Sequence, residues 1–205
     1  MTVNPDLTYE KYLWLHYKHI AGLDEAGRGA LAGPVAVGAV ILPHDKTLLS
    51  QALAGVRDSK QMTPHEREVL APRIQETALT WSVAFASAEE IDSQGIVSAT
   101  RSAALRALQK LSISPQYLLT DFRLELPQLD ISQTALVKGD VHCLSIAAAS
   151  VLAKTARDAY MRELDCQYRG YGLGKHKGYG TQAHRLALMR LGVTAVHRNS
   201  FKVKL

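Results

Sequence analysis

Two neighbouring carboxylates, Asp24 and Glu25, stand between a short apolar approach (Ile20, Ala21, Leu23) and a cationic turn, Gly27-Arg28-Gly29. Adjacent acids at the mouth of a buried strand are unfavourable: mutual repulsion and desolvation protonate one of them unless a cation neutralises both. Gly22, Gly27 and Gly29 let the backbone come close to a ligand, and an arginine between two glycines suits a phosphate. Oxygen ligands beside an anion-binding turn point to phosphodiester chemistry. Two other glycine-rich motifs do not fit. The stretch from Gly22 to Gly27 has the glycine spacing of a P-loop, but Arg28 replaces its lysine and Gly29 its hydroxyl residue, and both acids would face the nucleotide phosphates. The dinucleotide-binding fingerprint fails because Ala32 stands where its third glycine belongs.

Two further acids share the same setting. Asp121 directly ends a short apolar strand, Tyr117 to Thr120, and Asp140 follows another, Ala135 to Val137, within Lys138-Gly139-Asp140. Taken singly, Asp121 would cap a turn and Asp140 would serve as N-cap of a long helix. Taken with Asp24 and Glu25, they make four carboxylates at three strand ends. Hard cations such as Mg²⁺ or Mn²⁺ take oxygen ligands, and two of them about 3.5–4 Å apart serve nucleases and polymerases.

Such acids need strands to hold them. Val35 to Leu42 reads as a near-continuous apolar strand ended by Pro43, and Thr80 to Ser87 alternates as a half-buried strand does. Leu7 to Tyr17 predicts a short helix packed on the core, with Trp14 a packing residue rather than a base stacker. After a polar loop and Asp58-Ser59-Lys60, Thr63-Pro64-His65-Glu66 supplies an N-cap, an N1 proline and a capping glutamate, predicting a helix to about Thr77. Ser87-Ala88-Glu89-Glu90 opens a short helical turn, and a second helix is expected from Ile96 to Leu111. A long Ala-rich helix should occupy Val141 to Asp165. Its Lys154, Arg157 and Asp158 are expected either as a charge network on the helix surface or, for the basic pair, as contacts to nucleic acid. Arg169 to Gly180 reads as a loop, and Thr181 to Leu191 as a final helix ended by Gly192. Three strands, a helical region, two strands and a helix argue for an α/β mixed sheet with helices on both faces.

At 205 residues, 47% of them hydrophobic, the chain can bury one substantial core. Its 24 Lys+Arg against 19 Asp+Glu give +5, compatible with a polyanionic partner. Cys143 and Cys166 form no C-x-x-C pair, and Cys143 is expected as a small core residue. His176, His184 and His197 fit no standard zinc spacing. No signal peptide, membrane span or coiled-coil pattern is evident, so a reduced, cytoplasmic monomer is expected.

D-E-A-G-R-G, D-S-K, K-G-D followed by S-I-A-A-A-S-V-L-A-K-T-A-R-D, then H-K-G-Y-G-T and H-R-N-S-F closely resemble bacterial ribonuclease HII, in family order from about His19 to Phe201. The resemblance implies the ribonuclease H-like fold with a mixed five-stranded sheet, as a single catalytic domain over residues 1–205. Its core would span about 19–165, with the loop and helix of 166–205 completing the substrate site. It implies an endonuclease that cuts RNA within RNA–DNA hybrids and nicks 5′ of single ribonucleotides in duplex DNA, as in ribonucleotide excision repair. Two divalent ions, Mn²⁺ or Mg²⁺, would give 5′-phosphate and 3′-hydroxyl ends. Asp24, Glu25, Asp121 and Asp140 would be the catalytic, metal-binding carboxylates. Gly27, Arg28 and Gly29 look like the turn that reads the 2′-OH, Tyr179 like the aromatic stacking on the deoxyribose beyond the scissile bond, and Ser59 and Lys60 like backbone-phosphate contacts.

One departure stands out: the family usually shows D-G-N or D-G-K where this chain has Asp121-Phe122-Arg123, which alters the local turn and lets Arg123 contact a phosphate or pair with Glu125. Two rival readings remain. A silent binder of hybrid duplex has no reason to aim four acids at a polyanion. A DNA-cutting nuclease or recombinase of the same superfamily needs neither G-R-G nor Tyr179.

Overall fold

The structure is a computed structural model that describes residues 4–121 and 124–201. The expectations for Phe122 and Arg123 fall outside the described residues. In chain order the elements are α1 (Thr8–Leu13), β1 (Ile20–Ala26), β2 (Val35–Ile41), α2 (Lys46–Ala52), a 3₁₀ turn (Ser59–Gln61), α3 (Pro64–Thr77), β3 (Thr80–Ala86), α4 (Ala88–Gln109), β4 (Tyr117–Asp121), β5 (Ser132–Leu136), α5 (Gly139–His142), α6 (Leu144–Gln167), α7 (Leu173–His176) and α8 (Gln182–Leu191).

The five strands form one sheet in the order β3-β2-β1-β4-β5. β2 runs antiparallel to both β1 and β3, whereas β1, β4 and β5 are mutually parallel. The carboxyl ends of the three parallel strands therefore share one edge, where ligands of open α/β sheets bind. Register aligns the acids along it. Leu23 pairs with Thr120, so Asp24 and Asp121 are the next residues out on neighbouring strands. Asp121 pairs with Leu136, three residues before Gly139.

Helices cover both faces, which is why all seven residues of β2 are buried. On one face α4 packs through Ala99, Ala103, Ala104 and Ala107 against Val35, Val37, Ala39 and Ile41. On the other, α6 lies across Val40 and Leu42, with α3 behind it. The fit of α6 is close. A Cβ on Gly22 would lie 2.3 Å from the Ser145 carbonyl carbon, and one on Gly38 would lie 2.3 Å from the Ala149 oxygen. Glycine at both positions lets the helix backbone touch the sheet backbone, fixing α6 beside the ends of β1 and β4.

Local signals formed as their chemistry requires. Thr63 and Glu66 make a reciprocal capping box with Pro64 in the first turn, and Ser87 with Glu90 makes a second. Gly95, at φ 78°, divides α4 into the expected short turn and long helix.

Four expectations are corrected. The long helix does not begin at Val141 and Asp140 is not its N-cap. Asp140 sits inside the four-residue α5, Cys143 is extended (φ −119°, ψ 123°), and α6 starts at Leu144. Its first turn is capped from a distance by Glu10 of α1, whose Oε1 accepts from the Ser145 amide at 2.7 Å. β5 starts at Ser132 rather than Ala135. The supposed loops hold the short helices α2 and α7. Arg157 and Asp158 are buried rather than forming a surface network.

Candidate active site

Neighbouring residues of a strand point to opposite faces, yet at the last turn of β1 both carboxylates reach one place. Ligand oxygens of Asp24, Glu25 and Asp121 all lie within 4.8 Å of one another. Asp24 is 2 % exposed, and its Oδ1 accepts from the Glu25 amide at 2.8 Å. Asp121 Oδ1 accepts from the Gly139 amide at 3.0 Å, tying β4 to the turn that carries Asp140. Asp140 stands to the side of the trio, its Oδ2 3.2 Å from Lys60 Nζ. Burial, then Glu25, with Asp140 and Asp121 adding, holds the Asp24 carboxyl well above the ordinary carboxylate range. Burial also raises Glu25, against the neighbouring Arg28 guanidinium, and Asp140, against Lys60. Burial opposes the charge on Lys60, but Asp24, Asp140 and Asp58 outweigh it and raise its ammonium.

Asp24 Oδ2 and Glu25 Oε2 are buried without a hydrogen-bond partner. Two orphaned oxygens in a cluster of three acids are what a hard divalent cation satisfies, so the donor set fits Mg²⁺ or Mn²⁺.

Beside the acids opens a cleft of about 210 Å³, lined by Glu25, Ala26, the Gly27–Gly29 turn, Ser59, Lys60, Lys154 and Tyr179. Tyr179 is 38 % exposed. Arg28 lies 3.6 Å from Glu25 Oε1. Lys60 projects outward, but the Ser59 hydroxyl faces inward onto the Ser150 hydroxyl at 2.8 Å, and Ser150 works against burial in lowering the Asp24 carboxyl.

A sequence model of the family described as ribonuclease HII matches residues 21–204. The chain belongs to the ribonuclease HII family. It is 49% identical over 196 residues to the ribonuclease HII of Desulfitobacterium hafniense, covering 95% of this chain and 73% of that one. Among solved structures it is similar to the ribonuclease H2 of Pyrococcus horikoshii (TM-score 0.74, 25% identity, 90% and 94% of the two chains). It is also similar to the RNase HII solved in a complex with PCNA from Archaeoglobus fulgidus (TM-score 0.76, 26% identity, 91% and 96%). The fold is thus that of the ribonuclease H enzymes.

Around this ribonuclease HII site lie residues that the sequence did not assign to it, together with Lys154, which it left open between a helix-surface charge network and contact with nucleic acid. Ser150 is a lone hydroxyl in an apolar run, and that oddity was its signal. Lys154 lines the cleft and is held by Asp158 at 2.6 Å, while Asp158 is held by Arg67 at 3.1 Å. Under the glycine turn, Arg198 donates to the Gly27, Arg28 and Gly33 carbonyls. The histidines form a hydrogen-bonded ladder. His184 Nδ1 donates to the Tyr179 carbonyl, so its Nε2 accepts from His197 Nε2 at 3.2 Å, and His197 Nδ1 accepts from the Thr194 amide. His176 stacks on His184 with centroids 4.4 Å apart.

Proposed function

We propose that this ribonuclease hydrolyses the RNA strand of RNA–DNA hybrids and nicks duplex DNA on the 5′ side of a single embedded ribonucleotide, leaving 5′-phosphate and 3′-hydroxyl ends. One observation carries the reading: a carboxylate cluster around the buried Asp24, with orphaned oxygens, opens onto a cleft lined by Gly27–Gly29 and Tyr179.

Asp24, Glu25, Asp121 and Asp140 would hold divalent cations, which supply activation of the attacking water and charge stabilisation of the departing 3′-oxygen. The chain's own groups place the substrate. A trans peptide points its C=O and N–H in opposite directions. The Gly27 and Arg28 carbonyls are drawn inward by Arg198, so the amides of Arg28 and Gly29 face away from it, toward the cleft that the turn lines. Amides there can hydrogen-bond the 2′-OH, the group that distinguishes RNA from DNA at a site. The Tyr179 ring offers a flat apolar face to a deoxyribose, which has no 2′-OH to desolvate. Lys60 and Lys154 supply charge for the phosphates.

The test is cleavage of duplex DNA carrying one ribonucleotide, in Mg²⁺ or Mn²⁺, beside an all-DNA control, with wild type and Tyr179→Ala. The expected result is a nick 5′ of the ribonucleotide, no cutting of the control, and cleavage reduced in the variant. Cutting of long hybrid alone would remove the junction-reading roles of the turn and Tyr179 while leaving the carboxylate site standing. Binding without cleavage of either substrate would reject the endonuclease.

A further inference from the structure

Ribose selectivity at a junction needs two readers held in fixed relation: one for the 2′-OH before the scissile bond and one for the sugar after it. In this chain they come from segments about 150 residues apart in sequence, the turn after β1 and the segment after α7. One side chain joins them. Arg157 of α6 is fully buried, and its guanidinium donates to Pro34 O (2.8 Å), Ala32 O (3.3 Å) and Lys177 O (3.0 Å). Its Cζ lies 5.6 Å from the centre of the Tyr179 ring. Its stem packs so closely under the turn that a Cβ on Gly27 would meet Nε at 1.8 Å.

The segments also touch directly. The amides of Leu31 and Ala32 donate to the Gly178 carbonyl, and a Cβ on Gly178 would lie 2.2 Å from Ala32 O. Lys177 adopts φ 54°, a left-handed conformation unfavourable for a residue with a side chain, and Arg157 takes its carbonyl. Among the described residues Arg157 has no ion pair, so a buried cation is satisfied by carbonyls and an aromatic face. Such an arrangement has a high desolvation cost and contributes geometry that a hydrophobic residue could not.

We propose that Arg157 is the positioning residue that couples the Gly27–Gly29 turn to Tyr179 and thereby sets the preference for a ribonucleotide–deoxyribonucleotide junction over the interior of a long hybrid. The inference rests on the junction-reading function proposed above. Three donors of a rigid planar fork span carbonyls of both segments, and one lysine ammonium cannot. Arg198 offers the contrast: it also holds three carbonyls, but all belong to residues 27–33, so it supports the turn without reaching Tyr179.

The experiment compares kcat and KM of wild type, Arg157→Lys and Arg198→Lys on the single-ribonucleotide duplex and on a long RNA–DNA hybrid, with melting curves to confirm folding. Tyr179→Ala is added to wild type and to Arg157→Lys. Loss of registration between two readers at a reacting centre can reach about 100-fold, so R157K should lose on the order of tenfold more kcat/KM on the junction substrate than on the hybrid. R198K should lower both substrates alike. Tyr179→Ala should reduce junction cleavage in wild type and add little in R157K, since residues acting as one unit are non-additive. An unchanged substrate ratio in R157K overturns the coupling, as does a full Tyr179→Ala effect in that background. So does a ratio shift in R198K equal to that in R157K, which would assign selectivity to the turn alone. If Tyr179→Ala is silent in wild type, the junction reading itself falls, and the coupling with it.

Discussion

Asp24 sits in an unfavourable environment in the bare protein. It is nearly sealed from solvent, one oxygen rests on the next amide, the other has no partner, and Glu25 and Asp121 crowd it. On the function proposed above, a divalent cation completes this arrangement. Asp24→Asn keeps an acceptor for the Glu25 amide while removing the buried charge. In chelator at pH 8 the variant should therefore be more stable than wild type by about 1–2 kcal/mol, the scale of one unsatisfied buried polar group, or roughly 3–6 °C in a chain this size. Adding Mn²⁺ should raise the wild-type melting temperature and leave the variant nearly unmoved, since a ligand stabilises only the state that binds it. Hydrolysis should be lost. Differential scanning calorimetry with and without metal checks both signs, and a variant that melts below wild type in chelator would mean that Asp24 is a structural acid.

At the scale of elements, α6 shows what a sequence discloses and what it conceals. The strands carrying Asp24, Glu25 and Asp121 were readable because apolar runs end on acids, and the capping boxes of α3 and α4 were readable because their chemistry is local. α6 is different: residues 143–153 are buried on every side, so no polar face marks its orientation. Its start was misread because Cys143, with neither glycine nor proline beside it, breaks the chain by tertiary packing, and the cap comes from Glu10 far upstream. Arg157 looked like a surface charge because its partners are backbone carbonyls, which leave no mark in side-chain spacing. The segment around α7 is likewise held by non-local contacts, those of the histidine ladder, and these carry a pH signature. Burial, then His184, depresses the His197 imidazole to about 4. A base whose folded pKa is depressed stabilises fully above its unfolded value, about 6.5, and that stability is lost as pH falls toward 4. Protonation would place a hydrogen on His197 Nδ1, which accepts from the Thr194 amide at 3.0 Å, and so turn that acceptor into a second donor. Urea midpoints of wild type should fall between pH 6.5 and 5, and His197→Asn, less stable at neutral pH, should show a shallower fall. Parallel slopes in the two proteins would remove the ladder as the titrating element.

For the whole molecule, the difficulty is bringing a polyanion to a cluster of acids. A net charge of +5 helps only where the positive charge is placed. Lys60 and Lys154 line the cleft beside the carboxylates, and Lys60 is the more outward of the two, with 69% of its side chain exposed against 18% for Lys154. Each phosphate neutralised by the protein releases counterions, so log K should fall linearly with log salt by about 0.9 per contact. Binding of a long hybrid to the non-cleaving Asp24→Asn protein, measured from about 50 to about 200 mM salt, should give such a line. Adding Lys60→Ala should make it shallower by about one contact. Removing Lys60 also leaves Asp140 without its ion pair, which lowers affinity at every salt concentration but does not change the number of counterions released at the phosphates. The slope rather than the intercept therefore separates the two roles of this lysine. A slope that Lys60→Ala leaves intact would make Lys60 a partner of Asp140 alone and move the phosphate path to the Lys154 side of the cleft.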